Sequence, residues 1–138
     1  MKKISFLCFI LLLTSCANSK QEIIKKLESL DYKCEKNICH MDQWMTGVYD
    51  SFDFNKDSIW TTTIAQCDSL EYNGATFEIN FNKDSLTIID EEKTTICTFN
   101  NKDKTITECS NEYEKAQLIL DTLLTNLGQI NLSYEDFK

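Results

Sequence analysis

The chain has no proline and no arginine, and only three glycines and one histidine in 138 residues. Each shortage removes a class of function. Every one of the 14 basic side chains is lysine, and 22 acidic residues outweigh them to a net charge of −8. Phosphate backbones need clustered positive charge, so no nucleic acid is expected as a partner. Anionic lipid headgroups would repel the chain for the same reason. Three glycines do not make a phosphate-cradling loop, and a lone histidine does not make a His-based zinc motif. After residue 13 no apolar run approaches the roughly 20 residues that a bilayer span requires.

What is present begins at the amino terminus. Lys2 and Lys3 precede an apolar run from Ile4 to Leu13 that only Ser5 interrupts. Charge, length and the small residues that follow make residues 1–15 a secretory signal peptide, too short to span a membrane. Its end, Leu13-Thr14-Ser15-Cys16, resembles the lipobox of bacterial membrane lipoproteins. The resemblance implies cleavage before Cys16, a diacylglyceryl group on its thiol, and acylation of the new amine by a palmitate-type chain. Several acyl chains hold a protein on a membrane where one would release it. Cys16 is therefore the expected lipidation site, and the membrane a partner through that anchor. Residues 16–19 form a short tether, and 20–138 are expected as a single globular domain. The expected location is the cell envelope, on the outward or periplasmic face of the outer or cytoplasmic membrane. Loss of Lys2 and Lys3 takes the charge from −8 to −10.

Seven cysteines become five once Cys8 leaves with the signal and Cys16 is lipidated: Cys34, Cys39, Cys67, Cys97 and Cys109. Export permits disulfides, and a small domain gains from them. Two bridges and one free thiol, Cys67, are expected. If Lys36-Asn37 is a two-residue hairpin loop, Glu35 faces Ile38 and Cys34 faces Cys39. That second pair is non-hydrogen-bonded, with Cα atoms about 4.5 Å apart, within disulfide range. A three-residue loop at Lys102-Asp103-Lys104 would likewise oppose Asn101 to Thr105, Phe99 to Thr107 and Cys97 to Cys109. In that register Ile106 turns away from Phe99, toward a face carrying Ile89 and Ile96 that a helix would have to cover.

Helical periodicity occurs at both ends. Ser19-x-x-Glu22 reads as a capping box, followed by Ile23, Ile24, Leu27 and Leu30 on one stripe of a helix over 20–31. Asn111-x-x-Glu114 is a second such box, with Tyr113, Ala116, Leu120, Leu123, Leu124 and Leu127 on one face and Gly128 as the stop. Ile130, Leu132 and Phe137 read as edge packing. Between the helices the period is two: Phe52 and Phe54; Trp60, Thr62 and Ile64; Phe77, Ile79 and Phe81; Leu86 and Ile88. Asn73-Gly74 is the strongest short hairpin signal. Phe54-Asn55-Lys56-Asp57-Ser58 recurs as Phe81-Asn82-Lys83-Asp84-Ser85, and more loosely from Phe99, as a reused hairpin device.

Helix, consecutive hairpins, helix: the fold class is α+β, an antiparallel meander flanked by an N-terminal and a C-terminal helix. The alternative is a small curled sheet or barrel, since Trp44-x-x-Gly47-x-Tyr49 is similar to a lipocalin entry.

No catalytic residues, cofactor or metal are expected. His40 would need Cys67 beside it for thiol catalysis, and no nucleophile motif accompanies either. Cys34, Cys39 and His40 do not have the spacing of a common zinc site. Asp53-x-Asn55-x-Asp57-Ser58 opens like a calcium loop, but Ser58 and Ile64 stand where an EF-hand needs Gly and Glu. A lipid-anchored envelope protein with a non-enzymatic interaction or structural role, and a protein partner in the envelope, is the expectation. A lipocalin-like binder of small apolar ligands is the alternative. So is an inhibitor of a cationic enzyme such as lysozyme, because Tyr32-x-Cys34 is similar to the start of a lysozyme-inhibitor lipoprotein family.

Overall fold

Period-two patterning over some seventy residues becomes one eight-stranded sheet in a computed structural model. The structure describes residues 20–43, 48–55, 57–64, 75–90 and 93–138. A helix, α1, runs through 20–29. Strands β1 (Lys33–Glu35), β2 (Ile38–Gln43), β3 (Val48–Asp53), β4 (Ile59–Ile64), β5 (Ala75–Asn80), β6 (Ser85–Asp90), β7 (Lys93–Phe99) and β8 (Ile106–Cys109) follow. Helix α2 (Ala116–Gln129) and a 3-10 turn (Tyr134–Phe137) end the chain. Each strand pairs antiparallel with the next, in the order β1 to β8. The sheet is open, so the closed-barrel alternative does not form: its edges are β1 and β8.

Alternation sorts the side chains onto two faces. One inward row crosses all eight strands: Cys34, Cys39, Phe52, Trp60, Ile79, Leu86, Cys97 and Cys109. It begins and ends on a disulfide. Cys34–Cys39 and Cys97–Cys109 are both bridged, each with Cα atoms 4.0 Å apart. The two edge strands are the shortest, at 3 and 4 residues. A covalent staple holds each to its neighbour, and short edges give other chains little to pair with.

At the second bridge the chain escapes the conflict that a regular register creates. Cys97 opposes Cys109 and Thr98 opposes Glu108, but Phe99 opposes Ile106 rather than Thr107. A β-bulge leaves Thr107 over, so Ile106 turns to the core side while the cysteines stay opposite. The turn is also one residue longer than a three-residue loop. Asn100 and Thr105 close it, with Lys104 in the left-handed region at φ 56°.

Few glycines mean that other residues fill the left-handed positions. Asp31, Lys36, Asn37, Asp84, Lys104 and Asn131 all have positive φ. Both helices end on the same device. At α1, Asp31 N–H donates to Glu28 O and Tyr32 N–H to Leu27 O; at α2, Asn131 donates to Gly128 O and Leu132 to Leu127 O. Gly128 is therefore helical, and Asn131, not Gly128, stops α2. The Asn111 capping box is not formed either. Asn111 Nδ2 donates to Thr94 O across the sheet, and α2 starts later, with Lys115 as an N-cap that makes no side-chain bond. Ser19, Trp44, Gly47 and Asn73-Gly74 lie outside the described residues.

The β1–β2 turn has positive φ at both central residues, Lys36 at 52° and Asn37 at 64°. This is the type I′ pattern, in which Gly is favoured at the second position. Asn37→Gly relieves an L-residue of a conformation that costs about 1–2 kcal/mol, which outweighs the roughly 0.5–1 kcal/mol that glycine's freedom in the unfolded chain costs, so a small net rise in stability is expected. Denaturant titration checks this; a drop in stability would show that the Asn37 side chain contributes more than its backbone costs.

Candidate interaction surface

The inner side of the sheet is filled. Phe77, Ile79 and Phe81 are fully buried and Trp60 nearly so. From α2, Ile119, Leu120, Leu123 and Leu127 join the same cluster, and from α1 come Ile23, Ile24 and Leu27. The end of the sheet holding the β3–β4, β5–β6 and β7–β8 turns is sealed by aromatics. Phe54, Phe81 and Phe99, the first residues of the three repeated segments, are all buried, and Phe137 and Tyr134 bridge their rings. The N–H groups of Phe54, Phe81 and Phe99 donate to Asn37, Ser58 and Asp84 carbonyls of the preceding turns at 2.9–3.0 Å. The tail completes the seal: Phe137 stacks on Phe81 with centroids 4.0 Å apart, and on Phe52 and Phe54. Phe137 and Leu132 are thus core residues, not edge packing.

Polar groups within this side hold the structure together. Asp50 accepts from the Tyr32 hydroxyl at 3.0 Å and from Trp60 Nε1 at 3.3 Å. Burial, and then the Asp50 carboxylate, push the Tyr32 hydroxyl pKa well above its ordinary value. At the sealed end Asp84 accepts from Tyr134 at 2.6 Å and pairs with Lys138 at 2.7 Å. Burial alone would raise the Asp84 pKa, but the hydrogen bonds from Lys138 and Tyr134 and the nearby lysines carry it below the usual range. Burial, then Asp84, push Tyr134 upward. Lys104 lies over the Tyr134 ring and pairs with Glu135. These contacts lock the tail and offer no acid–base pair in a cleft.

The outward face is different. Nothing among the described residues covers it. Over β4 to β7 it presents twelve positions, nine of them Thr or Ile and only one, Glu78, charged. In a chain that is 26% charged, that neutrality is unusual. Of the six large apolar side chains most exposed among the described residues, four lie here: Ile38, Tyr49, Ile89 and Ile96. No helix among the described residues lies over Ile89 and Ile96, which are 40% and 51% exposed. Threonines partly satisfy one another: Thr63 and Thr76 hydroxyls meet at 2.9 Å, and Thr98 and Thr107 at 3.1 Å. Hydroxyls paired across strands lose less on leaving water, and their methyl groups add apolar area.

The other candidates do not converge. His40 is exposed on the outward face opposite Lys33 and Ser51. It lines a surface groove of about 510 Å³ with Leu30, Asp31, Lys33, Met41 and Asp42. No group of three metal-capable side chains occurs among the described residues. The Asp53 and Asn55 segment is an Asx turn, Asp53 Oδ1 accepting from Asn55 N–H at 2.9 Å, and Asn55 Nδ2 reaching Lys36 O. Asp57 bonds Asn82 of the neighbouring turn. Cys16 and Cys67 lie outside the described residues. Reasoning by period alone missed the bareness of the outer face, since Thr and Ile suit a covered face and an open one equally. Comparison with protein-family models, with curated proteins and with solved structures finds no match to this chain.

Proposed function

We propose that this protein is a lipid-anchored component of a bacterial cell envelope, without enzymatic activity, whose domain binds a protein partner through the outward face of its sheet. The observation that carries the reading is the contrast between a filled inner side and a broad, nearly uncharged outer one. Exposed apolar patches on soluble domains mark interaction sites. A lipocalin-like ligand binder would need space among Phe77, Ile79, Phe81 and Trp60, and those side chains are packed under two helices. An inhibitor of a cationic enzyme would dock through carboxylates, whereas the central outer strands offer Glu78 alone. The anchor rests on Leu13-Thr14-Ser15-Cys16.

Radiolabelled palmitate should enter the protein in its native host. Cys16→Ser should abolish the label and release the chain from the membrane fraction or leave an unprocessed precursor. A correctly cleaved Cys16→Ser protein that stays on the membrane would overturn the anchor.

A further inference from the structure

The repulsion that net charge creates between this chain and a lipid surface is not spread evenly over the fold. A meander of eight strands has four turns at one end and three connections at the other. The four turns, 36–37, 54–58, 81–84 and 100–105, hold five lysines and three aspartates in sequence. The strands are joined at the other end by 44–47, 65–74 and 91–92, a sequence with four carboxylates and no lysine. Lys36, Lys83 and Lys102 are exposed, one on each of three turns. Successive turns at this end lie about 10 Å apart, because strands are spaced by about 4.8 Å. Strand ends and the tail add Glu35, Asp53, Glu135 and Asp136 against Lys20 and Lys138. The turn end is thus close to neutral, and nearly all of the −10 left after signal removal lies elsewhere.

The tether reaches the same end. Lys20 begins α1, and its Nζ lies 3.4 Å from Phe54 O in the β3–β4 turn. Cys16 is four residue steps before Lys20, which span at most about 14 Å when extended. Strands of six residues, such as β3 to β5, are about 20 Å long. Standing on its far end, the domain would hold Lys20 farther from the headgroups than the tether can span. Lying on its outward face, it would add Asp42, Glu78 and Glu108 to the contact, with Lys33 alone to offset them. Charges more than about 8–10 Å from a surface are largely screened at physiological salt. Raised by the length of a strand, the far carboxylates therefore weigh little.

We propose that the turn end is a membrane-contact surface, on which the domain stands upon phospholipid headgroups through the row of Lys36, Lys83 and Lys102. The proposal rests on the reading of Cys16 as a lipid anchor and adds the surface that meets the bilayer. Lysines near an anionic lipid surface bind it, and the anchor supplies the rest of the affinity. The strands then stand upright, and the outward face of the sheet is turned sideways, clear of the lipid.

The test is photo-cross-linking of the full-length lipidated protein, purified from its host. It is reconstituted in vesicles of phosphatidylglycerol and phosphatidylethanolamine whose headgroups carry radioactive phosphate. Benzoylphenylalanine replaces either Asn101 in the β7–β8 turn or Lys93 at the far end of β7, both exposed. Illumination should place phosphate label on the Asn101 variant and leave the Lys93 variant unlabelled. With Lys36→Glu and Lys83→Glu added, the Asn101 label should fall by roughly fivefold or more, the factor one lysine contributes near an anionic surface. Circular dichroism should show every variant folded, since the replaced side chains are exposed. Label on the Lys93 variant, no label on either, or label that the two glutamates leave unchanged would overturn the contact while the anchor stands. A purified chain that carries no acyl group and does not float with the vesicles would overturn the anchor, and the contact with it.

Discussion

Phe137→Ala should cost about 3–5 kcal/mol and lower the melting temperature by roughly 10–20 °C, although the residue is next to last in the chain. Chain ends ordinarily fray and tolerate change. This one is held from several directions. Phe137 is 7% exposed and stacks on Phe52, Phe54 and Phe81. Ser133 and Asp136 form a reciprocal capping box at the start of the turn. Tyr134 and Lys138 both reach Asp84 in the β5–β6 turn. Removal of the ring leaves a cavity between three phenylalanines that a tied backbone is poorly placed to close. Aromatic pairs contribute about 0.5–1.5 kcal/mol beyond buried area, which places the loss toward the upper part of that range. Thermal and denaturant melts of parent and variant measure it. A change below about 0.5 kcal/mol would mean that the tail lies on the domain rather than closing it.

This tail shows where sequence reasoning stopped. Two aromatics within the last five residues carry no period, so nothing local separated a plug from an edge contact. The meander was legible because the strands alternate cleanly and the β3–β4, β5–β6 and β7–β8 turns each carry Asn or Asp that bonds its own backbone. Asn80, for instance, accepts from the N–H groups of both Asn82 and Lys83. The Cys34–Cys39 hairpin was legible because a two-residue loop leaves one register. The second hairpin was only half legible. Cysteine pairing and the inward turn of Ile106 exclude each other in a regular ladder, and the bulge that reconciles them depends on Thr107, whose hydroxyl donates to Thr98 O. The start of α2 was misplaced for a tertiary reason: the side chain of Asn111 is taken by Thr94 O of β7. Its end was misplaced because glycine, the usual stop, stands three residues before the asparagine that adopts the left-handed turn.

The candidate surface was the least legible part. An outward threonine on a strand reads as an ordinary half-exposed position, and only the assembled sheet shows how many of them lie together. The same alternation that buries Ile88 exposes Ile89. Inner residues hold the fold and outer ones lie at its surface, so the two faces should answer oppositely to charge.

Lysine substitutions on neighbouring strands test that claim most directly. Ile88 on β6 is 1% exposed, and Ile96 on β7 is 51% exposed on the other side. A lysine in place of Ile88 would bring an unpaired ammonium among apolar side chains, at a cost of several kcal/mol. That is a large part of the roughly 5–15 kcal/mol total of a small domain. Surface changes away from special features stay within about 0.5 kcal/mol. The measurement is denaturant unfolding of the two variants in dilute detergent solution. The account predicts that Ile88→Lys loses its cooperative transition or most of its stability, while Ile96→Lys unfolds like the parent. An Ile96→Lys protein destabilised as severely as Ile88→Lys would contradict it, because the outward face would then belong to the core.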